Sequence, residues 1–200
     1  MKIQPVVMAS GAGKRFGQNK LLLSLGNKPL FTYILDTLFL CQKENPNVLP
    51  PIVVTRWESI ALTAGEKGCT VILHTQPLIS DSIALGAKAS LENKEPQGTL
   101  FCVADQPLLS ATTILKIIDG FTQDPTKIVR AKQGNPVLFP QNLVPLLTTL
   151  PEGKTGSFVI KQYPDLVISI PFTTLEESMD IDTPQELEQV ESYLNLISDK

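Results

Sequence analysis

Residues 7–20 read Val-Met-Ala-Ser-Gly-Ala-Gly-Lys-Arg-Phe-Gly-Gln-Asn-Lys. Glycines stand at 11, 13 and 17, and basic side chains at Lys14, Arg15 and Lys20. The apolar run 5–9 that leads into this stretch has a strand's composition. A strand that ends in a glycine-rich, basic loop brings backbone N–H groups and cations to a phosphate. Such a loop belongs at the carboxyl end of a strand in an α/β sheet, where ligands of that fold class bind.

Outward from the loop, short apolar runs alternate with helical patterns. Strands are expected at 4–9, 51–55, 70–74, 99–104, 127–131, 137–139 and 166–170, bounded by turn-forming residues. Helices are expected at 29–41, 80–91, 110–121 and 183–197. In the first, Pro29 stands at the start and Leu30, Ile34, Leu38 and Cys41 recur at close to 3.6 residues. The last is the best marked. Thr183 and Glu186 have capping-box spacing, Pro184 takes the first helical position, and Leu187, Val190, Leu194 and Ile197 form one apolar face. Strands alternating with helices predict an α/β fold, a Rossmann-like three-layer α/β/α sandwich with a mostly parallel, mixed sheet. No repeat or linker divides the chain, so residues 1–200 are expected to form one domain.

Composition narrows the function. The net charge of −3 leaves no electrostatic footprint for nucleic acid or an anionic membrane. Any polyanion bound is then small and held by a local cation cluster. No apolar stretch approaches the roughly 20 residues of a membrane span, and the run before the glycine loop is too short for a signal sequence. A cytoplasmic protein is expected. Cys41, Cys69 and Cys102 are odd in number and form no C-x-x-C, which favours buried free thiols over a disulfide framework or zinc site.

The loop separates from two look-alikes. A Walker A loop requires G-x-x-x-x-G-K-[ST], but Gln18 and Asn19 follow Gly17. A dinucleotide loop requires G-x-G-x-x-G opening directly into a helix. Here the third glycine falls one position late, Phe16 fills its slot, and Leu21–Leu25 intervene before Pro29.

What remains, A-S-G-x-G-x-R-F-G-x-x-K, resembles the MobA-like nucleotidyltransferases and, more distantly, the sugar-nucleotide pyrophosphorylases. The resemblance implies the nucleotide-diphospho-sugar transferase type of fold. It implies a loop, Ala9, Ser10, Gly11, Ala12, Gly13, Lys14 and Arg15, wrapped around an NTP triphosphate, with Lys20 as its closing cation. Many relatives have Ala at Ser10. Residues 99–109 end an apolar strand in Asp105-Gln106-Pro107, similar to the family's Asp-x-Pro. That likeness implies that Asp105 helps hold Mg²⁺, a hard cation suited to carboxylates and substrate phosphates; an Asx-turn is the structural alternative. The 79–86 segment resembles the family's Ser-rich helix start near the nucleobase and ribose, which implicates Asp81 and Ser82; both are also good N-terminal helix residues. Asp180-Ile181-Asp182-Thr183-Pro184 is similar to the family's C-terminal signature. There Asp182 is either a second metal carboxylate or a charge favoured at a helix start.

Residues 134–140 resemble a segment near the acceptor side, with Asn135 where many relatives have His. Gly153-Lys154-Thr155-Gly156-Ser157-Phe158 departs from the family pattern: Lys154 replaces an acid and Phe158 an expected Arg. His74, the only histidine, reads as structural, because a phosphate nucleophile needs no imidazole base. Trp57 has no motif around it.

The resemblance as a whole implies a nucleotidyltransferase with Lys20, Arg15 and Asp105 in the catalytic set. Arg-Phe-Gly-x-x-Lys-Leu-Leu-Leu with Asp-Ser-Ile-x-Leu-Gly looks most like the branch that transfers CMP from CTP to molybdopterin in molybdenum cofactor biosynthesis. That implies a phosphate-bearing small-molecule acceptor and transient contact with a molybdoenzyme or cofactor-insertion chaperone. The rivals are a GTP-dependent guanylyltransferase, a sugar-phosphate nucleotidylyltransferase, and a nucleotide-binding regulatory or carrier module without turnover.

Overall fold

A computed structural model describes residues 1–11 and 18–198. Its centre is a seven-stranded sheet. The strands are β1 (Lys2–Ala9), β4 (Ile52–Thr55), β5 (Thr70–Leu73), β6 (Pro96–Val103), β7 (Ile128–Ala131), β8 (Gly134–Pro140) and β9 (Val167–Ile170). They lie in the order β5-β4-β1-β6-β8-β7-β9. β5, β4, β1 and β6 run parallel. β8 runs antiparallel to both β6 and β7, and β9 runs parallel to β7. The sheet is therefore mostly parallel and mixed.

Side chains of a strand alternate between faces, and the core divides accordingly. On one face Ile3, Val7, Val53, Leu100, Cys102 and Leu138 pack with α1 (Thr32–Glu44), α2 (Glu58–Glu66), α4 (Ala111–Gln123) and α7 (Pro184–Ser198). On the other, Val6, Val54, Phe101, Val137 and Phe139 pack with α3 (Ile79–Glu92), α5 (Val144–Leu147) and α6 (Gly156–Gln162). These are the three layers that the alternating pattern predicts. Cys41 and Cys102 are buried free thiols and Cys69 is half-buried. No described helix is long and apolar enough to cross a membrane.

α1 begins later than its sequence pattern suggests. Lys28–Pro29 is taken up as strand β3, paired antiparallel with β2 (Ser24–Leu25) around Gly26 at φ 61°. The Leu30 and Phe31 N–H groups donate back to the Leu23 and Leu21 carbonyls, so the helix starts at Thr32, whose hydroxyl donates to the Pro29 carbonyl. Pro29 closes a tight ladder instead of opening the helix.

The site follows from topology. The chain leaves β1 toward β4 on one side, while β6 lies on the other, so the strand order reverses between β1 and β6. Parallel strands place the carboxyl ends of β5, β4, β1 and β6 at one edge of the sheet. A ligand crevice forms outside those ends at such a reversal.

Candidate functional site

The start of the loop is pinned by the neighbouring strand. The Thr55 hydroxyl donates to the Ala9 carbonyl (2.9 Å), Arg56 Nε to the Ser10 carbonyl (3.3 Å), and the Trp57 indole N–H to the Gly11 carbonyl (3.1 Å). The Arg56 guanidinium stands 5.9 Å from the Trp57 ring centroid, within cation–π range. The last residue of β4 and the two that follow it thus fix the last residue of β1 and the two that follow it.

His74, directly after β5, adds a second tie. Its Nε2 lies 2.8 Å from Ser10 Oγ and 3.2 Å from Ser82 Oγ, and its Nδ1 lies 3.1 Å from Gln76 Oε1. An amide oxygen only accepts, so Nδ1 carries the proton and Nε2 accepts from a serine hydroxyl. The imidazole thereby joins the loop to the start of α3. Burial pushes its pKa down and nearby Arg56 adds to this, against Gln76 and Asp81. His74 is the structural residue expected from the sequence, but its structural work is at the site itself. The Ser10 hydroxyl is turned to His74 and to the Val54 carbonyl at 3.2 Å.

The opposite wall is a charge cluster. Lys20 opens a short 3₁₀ turn, Lys20–Leu22, capped by the Asn19 side chain, which accepts from the Leu21 N–H. Its ammonium donates to Asp105 Oδ2 at 2.7 Å and to Asp182 Oδ1 at 2.6 Å. Lys20 is buried. Burial alone lowers its pKa, but the two carboxylates outweigh it and hold the ammonium above its ordinary value. Asp105 follows the end of β6, and the Ile181 N–H donates to its carbonyl (3.0 Å), which brings the 180–182 segment in. The predicted capping box forms: the Glu186 N–H donates to Thr183 Oγ1 (3.3 Å), and Glu186 Oε2 accepts from the N–H groups of Thr183 (2.8 Å) and Asp182 (2.7 Å). Asp182 thus enters the site from a firmly capped helix start.

Between these walls lies a cavity of about 240 Å³ lined in part by Ser10, Gly11, Lys20, Arg56, Ser82 and Asp105. Ala9 is buried at the strand end. Ala12, Gly13, Lys14 and Arg15 lie outside the described residues. Asp81 is half-buried and accepts from the Leu78 N–H at 3.2 Å, so it caps α3. Sequence reasoning missed Arg56, Trp57 and His74 as site residues. The signal that finds them is position: each directly follows a parallel strand on the ligand edge. A second cavity of about 200 Å³ adjoins the first and shares Met8, Ile79 and Val103 with it. Asn135, Thr155, Gly156 and Ser157 line it. Lys154 is exposed and Phe158 lies largely at the surface.

Asp105 and Asp182 are oxygen donors of the kind a hard cation takes, but both accept from the Lys20 ammonium, and among the described residues no group of three or more His, Cys, Asp or Glu is placed to hold a metal ion. Asp105 and Asp182 converge on one point from two chain segments. Asp180 beside them has its pKa raised, first by burial and then by the negative charge of Asp105, with Asp182 adding. Local negative potential and hard oxygen donors are what Mg²⁺ or Mn²⁺ requires, with substrate phosphates completing its shell.

Residues 5–166 match the family model of the MobA-like NTP transferase domain. Among curated relatives, the chain is 26% identical over 133 residues to the bifunctional protein GlmU of Janthinobacterium sp. (strain Marseille). It is 29% identical over 122 residues to a probable molybdenum cofactor guanylyltransferase of Pyrococcus horikoshii. These matches cover 66% and 60% of this chain, but 28% and 57% of the relatives. A nucleotidyl transferase from Methanothermobacter thermautotroptrophicus superposes with a TM-score of 0.81 at 18% identity, over 98% of this chain and 99% of that one. A Mycobacterium tuberculosis H37Rv protein in complex with manganese gives 0.70 at 18% identity, over 96% and 99%. The solved structures share the fold of this chain.

Proposed function

Because the chain belongs to the MobA-like NTP transferase family, we propose that it transfers CMP from CTP to the phosphate of a small-molecule acceptor, molybdopterin, and releases pyrophosphate. The observation that carries this reading is the Lys20 ammonium held between Asp105 and Asp182 at the crevice where the strand order reverses.

In this reading the triphosphate lies in the loop from Ala9 to Lys20. Ser10 and Gly11 are held by Arg56 and Trp57, so the start of the loop is fixed before substrate arrives. The terminal phosphate oxygen of the acceptor attacks the α-phosphorus. A new P–O bond forms in line as the bond to the β-phosphate oxygen breaks, and pyrophosphate leaves with its electron pair. Lys20 and Arg15 neutralise charge on the leaving group, which is where preorganised cations act most strongly. Asp81 and Ser82, at the start of α3, lie toward the nucleoside. No protein nucleophile is needed, because positioning supplies most of the acceleration. Asp105 and Asp182 would hold Mg²⁺, which when bound supplies Lewis-acid polarisation of phosphate oxygens. Contact with a molybdoenzyme or insertion chaperone would follow from that product.

The curated likeness to a molybdenum cofactor guanylyltransferase favours GTP as the second reading. The phrase running from Arg15 to Leu23, with Asp81-Ser82-Ile83, favours CTP. Pyrophosphate release with CTP and with GTP, each with molybdopterin and Mg²⁺, tests the proposal. Release with CTP supports it, release with GTP alone transfers the reading to guanylylation, release only when a sugar phosphate replaces molybdopterin identifies a sugar-phosphate nucleotidylyltransferase, and nucleotide binding without release with any acceptor favours a binding module.

A further inference from the structure

The polar contacts of His74 suit a charged imidazole as well as a neutral one. With its Nδ1–H given to Gln76 Oε1, the neutral ring has one lone pair on Nε2. Two hydroxyls stand against that lone pair, Ser10 Oγ at 2.8 Å and Ser82 Oγ at 3.2 Å. One lone pair takes one hydrogen. The shorter contact gives it to Ser10, whose hydroxyl is then spent on the ring. A proton on Nε2 reverses the chain. Nε2–H donates to Ser10 Oγ, with Ser82 Oγ as a second acceptor, and the Ser10 hydrogen is released. The Val54 carbonyl, 3.2 Å from Ser10 Oγ, is one place for it. Gln76 Oε1 and both serine oxygens all accept, so the imidazolium leaves no N–H unpaired.

Charge opposes the proton. His74 is 8% exposed, and burial is the main cause that lowers its pKa. Among the described residues, the charged groups acting on it are Arg56 after β4, which repels a second cation, and Asp81 on α3, which attracts one. Its contacts from the β1 side, Ser10, and beyond β5, Gln76, are neutral. An anion in the crevice changes this balance. Ser10 and Ser82 both line the cavity of about 240 Å³, so an anion there stands one hydroxyl away from Nε2. The chain N–H⁺···O–H···O⁻ is charge-assisted at both ends, and such hydrogen bonds are roughly twice as strong as neutral ones.

We infer that a polyphosphate enters this crevice together with a proton, taken from solvent onto His74 Nε2, with Ser10 turning from donor to the ring into donor to the anion. This rests on the reading of the crevice as a triphosphate site and deepens it. His74 becomes a positioning residue: through Ser10 it sets the hydrogen-bond polarity of the loop's first hydroxyl. The protein itself then makes triphosphate binding tighter as pH falls toward the range in which His74 titrates.

His74 is the only histidine, so ¹H–¹³C spectra of the untagged chain follow its imidazole directly. Its pKa is titrated alone, with saturating inorganic tripolyphosphate, and with saturating CTP, all without metal. Thermal stabilisation by each anion is measured alongside. The expected result is a rise of about one pH unit with either anion, which by linkage is about tenfold tighter binding to the protonated form. Ser10→Ala at least halves that rise. Between pH 8 and pH 5.5, calorimetric tripolyphosphate affinity of the parent improves by at least about threefold relative to His74→Gln. Stabilisation by either anion with no rise at His74, or a rise that Ser10→Ala leaves intact, overturns the inference while the triphosphate site stands. A rise with both anions, but no turnover of CTP or GTP with any acceptor, keeps the inference and removes the transferase reading. Absence of stabilisation by either anion overturns both.

Discussion

Replacing Lys20 by Met keeps the stem and removes the charge from a cluster in which one ammonium serves two carboxylates at 2.7 and 2.6 Å. Breaking a well-buried ion pair costs about 3–5 kcal/mol, and an exposed pair contributes about 0–1. Lys20 is only 9% exposed in its side chain, but Asp105 is 24% and Asp182 51% exposed. Solvent screening therefore reduces the expected loss to about 2 kcal/mol. For a chain of this size that is a fall in Tm of about 4–8 °C. The sign with pH follows from the raised pKa. A group whose folded pKa exceeds its unfolded one contributes fully below the unfolded value and loses the contribution as pH rises through the folded value. The difference between parent and variant is thus complete at pH 7.5, where differential scanning fluorimetry measures it. With the ammonium gone, Mn²⁺ or Mg²⁺ raises the Tm of Lys20→Met more than that of the parent. Turnover falls by about 10²–10³, the scale of one preorganised electrostatic contact in a transition state. An unchanged Tm refutes the cluster, and kcat within threefold of the parent refutes the role given to Lys20.

Arg56→Ala frees the loop start at Ser10 and removes a cation from the crevice; the nucleotide KM rises about tenfold with a smaller change in kcat, measured by initial rates. Burial lowers the pKa of His74 in the folded chain, which favours the neutral imidazole. Its contribution is therefore present above the unfolded value near 6.5 and lost as pH falls through the folded one. Urea unfolding at pH 5 and 7.5 shows this, and His74→Gln flattens the dependence. Gly86 lets α3 approach β1 and β4, since an added Cβ would lie 2.5 Å from Val6 Cγ1 and 3.2 Å from Val54 Cγ2. Gly86→Ala is accordingly destabilising by about 1 kcal/mol in urea unfolding, as an overpacking cost of about 1–3 kcal/mol exceeds the helix-propensity gain of about 1.

The parts of this molecule legible in the sequence are those written in local pattern. The strand before Ser10, the strand leading to Asp105 and the capping box of Thr183 and Glu186 each sit within a dozen residues; the box forms as expected, and the two strands overlap the expected spans but begin two and three residues earlier. Short elements carried no such pattern. α2, α5 and α6 have no such pattern, and Pro29, whose position in the sequence suggests a helix start, closes the β2–β3 ladder. The site is less legible because its chemistry is long-range. Lys20 meets partners 85 and 162 residues away. His74 joins Ser10 to Ser82 across two parallel strands. Composition identifies the residue types, but only the strand order β5-β4-β1-β6 brings residues 56, 57 and 74 to the same edge as Ser10 and Gly11. Asp81 shows the converse: its helix-start position was visible, and its side chain caps that helix.

The central claim is that the Ala9–Lys20 loop clamps a triphosphate. Thermal stabilisation by CTP, CDP and CMP with Mg²⁺, in the parent and in Lys20→Met, tests it without an acceptor. A ligand that binds only the folded state at 100 times its Kd adds about 2.7 kcal/mol, which is about 5–10 °C here. The account predicts that order for CTP, little for CMP, and loss of the difference in Lys20→Met. Equal stabilisation by CMP and CTP, or an undiminished CTP shift in Lys20→Met, would contradict it.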